Sequence, residues 1–134
     1  MKLPEGAFVA PDGSNRDVVE RLLNASLNTL LSHLTSASTR RLLPDVLPAL
    51  DALELPRRGS SEAALLAEVE SLLSYCMNQA NPGYIGHMDP MPTTASIVGE
   101  LVGAAVNNNM LSVEMSPLFS KLEYRLMQVF AREF

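Results

Sequence analysis

The nine prolines and seven glycines of this 134-residue chain are unevenly placed. All but Gly99, Gly103 and Pro117 fall within residues 1–14, 35–60 and 81–92. Proline removes a helical donor and clashes with the turn before it, and glycine favours irregular backbone, so sustained helix is confined to the windows between these stretches. Four windows remain, and each carries a helical rather than an alternating pattern of apolar residues.

In the first window Val19, Leu22, Leu23, Leu27, Leu30, Leu31 and Leu34 recur at three- and four-residue steps. They predict a helix from about Asn15 to Leu34, capped by Ser14 or Asn15, with Asp17 favoured by the helix dipole in its first turn. The second runs from about Ser61 to Asn78, with Leu65, Val69, Leu72, Leu73 and Cys76 on one face and Ser60 or Ser61 as cap. The third starts at Thr93 or Thr94 and ends near Val106. It is apolar almost all round, which predicts burial on most sides. Asn107-Asn108-Asn109 stops it, and Met110 to Met115 are expected to be extended. Ser116-Pro117 then opens a fourth helix, with Ser116 as its cap and proline at the first helical position, where it gives up a donor that would have no partner anyway. Leu118, Leu122, Leu126, Val129 and Phe130 form its apolar face, and the pattern is still running at Phe134, as expected of a chain cut within a helix. The expected fold is all-α: about four main helices and one Pro/Gly-rich loop, with residues 1–80 as N-terminal helices and linker.

A formal net charge of −5 and only ten Lys plus Arg exclude a nucleic-acid binder, which needs clustered cations. The pairs Arg40-Arg41 and Arg57-Arg58 are too short to make a patch. The apolar run Ile97 to Val106 is interrupted by Glu100 and is too short to span a bilayer, and no signal peptide is legible at the N-terminus. The single Cys76 forms no internal disulfide, which fits a reducing compartment. A cytoplasmic protein is the expectation. Hydrophobic residues make up 47% of the chain and mean hydropathy is +0.11, high for a small domain, so part of the apolar surface is expected to lie against a partner.

Candidate chemistry is sparse. His33 and His87 stand far apart and not at metal-ligand spacing, so no metal site is expected. His33 reads as a residue at the edge of the first apolar face, and Cys76 as a small buried hydrophobe. Glu100 and Glu114 are isolated candidate acids. The segment Asn81 to Pro92 packs three prolines and two glycines into twelve residues, and ordered loops of that length usually serve function. Within it His87, beside Tyr84 and Met88, is either a structural loop residue or one that meets a ligand.

Three pieces taken in order resemble the N-terminal region of the group II pyridoxal-phosphate-dependent amino-acid decarboxylases. They are Asn81-Pro82-Gly83-Tyr84-Ile85-Gly86-His87-Met88, then Ile97-Val98-Gly99-Glu100-Leu101-Val102, then Asn107 to Pro117 with Leu122-Glu123. That family includes glutamate, aromatic amino-acid, cysteine-sulfinate and diaminobutyrate decarboxylases. Asn81 stands where His is commoner, and Asp89-Pro90-Met91-Pro92 is a proline-rich version of a loop that varies with substrate, so the substrate stays open. The resemblance implies part of a fold-type I enzyme whose large α/β domain is absent from this chain, with residues 81–134 supplying an active-site loop, a buried helix and the start of the next. It implies a homodimer in which this region wraps the partner subunit. Tyr84, His87 and Met88 would line the substrate and cofactor pocket, and Asn109 and Leu111 would line the neighbouring one.

In such enzymes a Lys holds pyridoxal phosphate, an Asp keeps the pyridine nitrogen protonated, and the ring takes up the electrons released with carbon dioxide. This chain has only Lys2 and Lys121, neither placed where the resemblance puts that Lys. The expectation is therefore a dimerisation and pocket-lining segment, inactive alone, with no catalytic residue of its own and no cofactor bound to it. The alternative is a stand-alone helical interaction module without catalysis.

Overall fold

A computed structural model describes residues 4–48, 59–86, 88 and 90–134. The fold is all-helical. Four α-helices, α1 (Arg16–Thr35), α2 (Glu62–Ser74), α3 (Thr94–Val106) and α4 (Pro117–Glu133), are joined by turns and one 3-10 turn, Ala37–Thr39, with no strand among the described residues. The chain divides into two units, Met1–Met91 and Pro92–Phe134.

In the first unit α1 packs on α2. Arg21, early in α1, pairs with Glu62 at the first position of α2 (3.2 Å). His33, late in α1, shares a cleft with Ser74 and Cys76 at the end of α2. The two helices therefore run side by side in the same direction, α1 being about 30 Å long at 20 residues. At Gly59 a Cβ would stand 3.3 Å from the Pro4 ring, so glycine allows the backbone to pass the leader closely.

The stripe of α1 that is half-buried comprises Val18, Val19, Leu22, Ala25, Ser26, Thr29, Leu30 and His33, while Leu23, Leu27, Leu31 and Leu34 stay exposed. The apolar face of α1 is thus wider than one neighbouring helix covers. On α2 the half-buried residues are Glu62, Leu66, Val69 and Leu73, whereas Leu65 and Leu72 are exposed.

Two asparagines supply what apolar burial does not. Buried Asn15 donates to the carbonyls of Glu5 and Phe8 (2.7 Å each) and accepts from the Ala10 amide (2.9 Å), tying the leader to the start of α1. It stands at the N-cap as expected, but its side chain makes no capping bond because the leader has taken it. Ser61 and Thr93 do cap in the usual way, accepting from Ala64 and Ser96, whereas Ser116, the expected cap of α4, makes no capping bond and its buried hydroxyl has no hydrogen-bond partner.

Four expectations need correction. The second helix ends at Ser74 rather than Asn78, because the Asn78 amide N–H turns to the Leu42 carbonyl (2.9 Å) and its side chain to the preceding segment. Cys76 consequently lies beyond the helix and is exposed, not buried on its face. In the second unit α3 is exposed along almost its whole length, only Ile97 being half-buried. Among the described residues α3 and α4 make no contact with each other, so nothing in that unit covers α3. Residues 110–115 form turns instead of an extended stretch. Asn107, in the left-handed region (φ 45°), redirects the chain into them, while ending α3 as expected.

Candidate functional site

The Pro/Gly loop leaves the first unit from a hydrogen-bonded base. The Asn78 side chain donates to the carbonyls of Ala37 (2.6 Å) and Arg40 (3.2 Å), and the Asn81 side chain donates to the same Arg40 oxygen (2.6 Å). Asn81 also accepts from the Gly83 amide through Oδ1 (2.7 Å), and its carbonyl accepts from the Tyr84 amide (2.9 Å), closing a turn at Pro82-Gly83. Tyr84 is half-buried, and its hydroxyl is shielded from solvent without a hydrogen-bond partner. Beyond it Gly86 takes φ +145°, a conformation side chains disfavour. Ile85 and Met88 are then 95% and 96% exposed, so the loop presents apolar side chains to solvent from an anchored base. His87, Asp89, Lys2 and the Arg57-Arg58 pair lie outside the described residues.

Asn109 and Leu111 lie in the second unit, in the turn after α3. Asn109 Oδ1 accepts from the Leu111 amide (2.9 Å), and this local turn holds the Leu111 side chain out at 87% exposure. Tyr84 and Met88 thus belong to one unit, and Asn109 and Leu111 to the other. Three of these four side chains are placed by polar groups next to them in sequence, and two of the four are large apolar groups exposed to solvent.

Glu114 is not a proton donor at neutral pH. Its own backbone N–H, then the Ser112 hydroxyl, hold its carboxyl below the usual range, and it is fully exposed. Glu100 is exposed on α3. No group of three or more His, Cys, Asp or Glu suited to a metal occurs among the described residues. Lys121 is exposed on α4 and lines neither of the clefts found in the first unit.

The larger cleft, about 770 Å³, was not foreseen from the sequence. It lies between the ends of α1 and α2 and the segment after the 3-10 turn, and its polar lining includes His33, Arg40, Arg41, Asp45, Glu70 and Cys76. Arg41 is paired with Asp45, and Arg40 donates to the His33 carbonyl (2.8 Å). Burial, and then the Arg40 charge, push the His33 imidazole below its ordinary pKa. Two cations balanced by two carboxylates give this cleft no net charge to draw an ionic ligand. The sequence singles out His33, the Arg40-Arg41 pair and Cys76 separately, with no sign that they meet.

The sequence model of the pyridoxal-dependent decarboxylase conserved domain matches residues 44–133. That span covers α2, the Pro/Gly loop, α3, the Asn109 turn and α4. Among curated proteins no match is found.

Proposed function

The chain belongs to the pyridoxal-dependent decarboxylase family, and from that premise we propose that it is the N-terminal dimerisation and pocket-lining segment of an amino-acid decarboxylase. The observation that carries this reading is the pairing of the family match with an anchored loop that projects Ile85 and Met88 almost wholly into solvent. In water alone such side chains gain nothing from that placement. Against a bound amino acid or a partner subunit they bury their surface.

The family's cofactor, pyridoxal phosphate, supplies an electron sink for the bond that breaks when carbon dioxide leaves. The residues described here suit the lining of a pocket and not the attachment of that group, since the one described lysine, Lys121, stands on an exposed helix. Tyr84, His87 and Met88 form one wall, and Asn109 and Leu111 contribute to the neighbouring pocket of the dimer. Their work is to orient the substrate and to exclude water, and His87 offers a ring nitrogen to a polar group of substrate or cofactor. Residues 1–80 form the helical base and residues 81–134 carry the lining groups. The exposed faces of α1, α3 and α4 pair with a second copy, and the protein works in the cytoplasm.

Two experiments test this. The 134-residue chain, mixed with pyridoxal phosphate, should show no decarboxylation and no visible absorbance that borohydride fixes covalently to the protein. Turnover by this chain alone would refute the lining role. In the full-length enzyme His87→Ala should lower kcat/KM while leaving the dimer intact, and equal losses in activity and in assembly would make the residue structural.

A further inference from the structure

We propose that Asn78 and Asn81 are positioning residues that set the take-off of the pocket loop. The inference rests on the reading of that loop as a pocket wall. Both side-chain amides converge on one acceptor, the Arg40 carbonyl (3.2 and 2.6 Å), and Asn78 also holds the Ala37 carbonyl (2.6 Å) and, through its backbone, the Leu42 carbonyl (2.9 Å). Asn78 is 4% exposed, so these bonds are shielded from water. Arg40 is itself tied to α1 by its guanidinium, which donates to the His33 carbonyl (2.8 Å). A continuous set of hydrogen bonds therefore runs from the end of α1, through Arg40, to Asn81 and the Pro82-Gly83 turn.

Very little apolar packing could do this instead, because Ala37 is the one buried hydrophobic residue among those described. The loop beyond the clasp is free: Ile85 and Met88 are exposed, and Gly86 at φ +145° adds a joint. A wall that must meet a substrate within a fraction of an ångström needs one end fixed, and here the fixed end is made by two amides on one carbonyl. Neither asparagine reaches the wall itself. Their effect on catalysis passes through the direction in which residues 84–86 leave the turn.

The test uses the full-length holoenzyme and the substrate it decarboxylates fastest among L-glutamate, L-tyrosine, L-cysteine sulfinate and L-2,4-diaminobutyrate. Asn81→Asp keeps the acceptor for Gly83 but loses the donor to Arg40. It should lower kcat/KM roughly tenfold, most of it in KM, with dimer and cofactor absorbance unchanged and with faster amide exchange at Gly83 and Tyr84. Should that variant fail to fold, Asn81→Ser, whose shorter hydroxyl still serves Gly83 but falls short of Arg40, should show the same split. Asn15→Ala, which loosens the leader, should leave kcat/KM at the wild-type value and so separates positioning from general destabilisation. Wild-type kcat/KM in the Asn81 variants, alongside an impaired His87→Ala, overturns the clasp and leaves the pocket wall standing. Wild-type values in all of them overturn the pocket wall and the clasp with it.

Discussion

The apolar faces of α3 and α4 make a quantitative prediction about association. On α4 Leu122 and Leu126 are 51% and 54% exposed, and Leu118, Val129 and Phe130 are similarly open. On α3 so are Val98, Leu101, Val102 and Val106. Fully burying such a side chain contributes about 1.5–3 kcal/mol, so covering the exposed half contributes about 1 kcal/mol each. The α4 face then supplies about 5 kcal/mol and the α3 face about 4 kcal/mol, against an association cost of about 4–15 kcal/mol. Both copies bury these faces in a dimer, so the α3 and α4 faces together supply about 18 kcal/mol, which exceeds that cost and predicts association at micromolar concentration. Leu122→Glu with Leu126→Glu removes, in each copy, about 2 kcal/mol of burial and adds the desolvation of two carboxylates, several kcal/mol more, which predicts at least a hundredfold weaker association. Sedimentation velocity across a concentration series of wild type and double variant reads this directly. A wild type that stays a monodisperse monomer at high micromolar concentration refutes the reasoning, as does a double variant that associates equally well.

Three further outcomes follow from particular contacts. Asn15→Ala deletes three hydrogen bonds and should destabilise the first unit by about 2–3 kcal/mol in urea unfolding followed by circular dichroism, with new proteolytic cleavage in residues 4–12. His33 has a folded-state pKa below its unfolded one, so the stability it contributes is present above the ordinary imidazole pKa and is lost as the pH falls through that value toward the lowered one. His33→Gln should flatten that part of the stability–pH curve, and an unchanged curve would refute the assignment. Cys76 is exposed and should react with a thiol reagent in the native protein at a rate close to that of the unfolded chain; a requirement for denaturant would show that it is covered.

The helices were legible because their signals are local. Ser61, Thr93, Asn107 and Pro117 end or begin them through bonds and dihedral angles confined to a turn, and the structure places all four where the sequence implied. The family was legible for a related reason, since order and spacing over residues 81–123 survive without any knowledge of packing. Burial was not. Periodicity marks α3 as apolar but says nothing of what covers it, and within its own unit nothing does. The end of α2 was missed because a bond from Asn78 to residues about forty positions away competes with the helix. The lining role of Tyr84 and Met88 was read from resemblance. The anchorage of Tyr84 through Asn81 had no sequence signal beyond Asn-Pro-Gly at residues 81–83.

The sequence by itself determined the four helices, the caps at Ser61 and Thr93, the stop at Asn107, and the kinship with pyridoxal-dependent decarboxylases, because each depends on neighbours within a few residues or on a linear pattern. Only the tertiary structure decided that α1 and α2 run in the same direction, that one carbonyl after α1 holds the base of the Pro/Gly loop, and that most of the apolar surface among the described residues is left uncovered. Those properties depend on groups distant in sequence meeting in space, and hydrophobic spacing carries no record of which distant groups will meet.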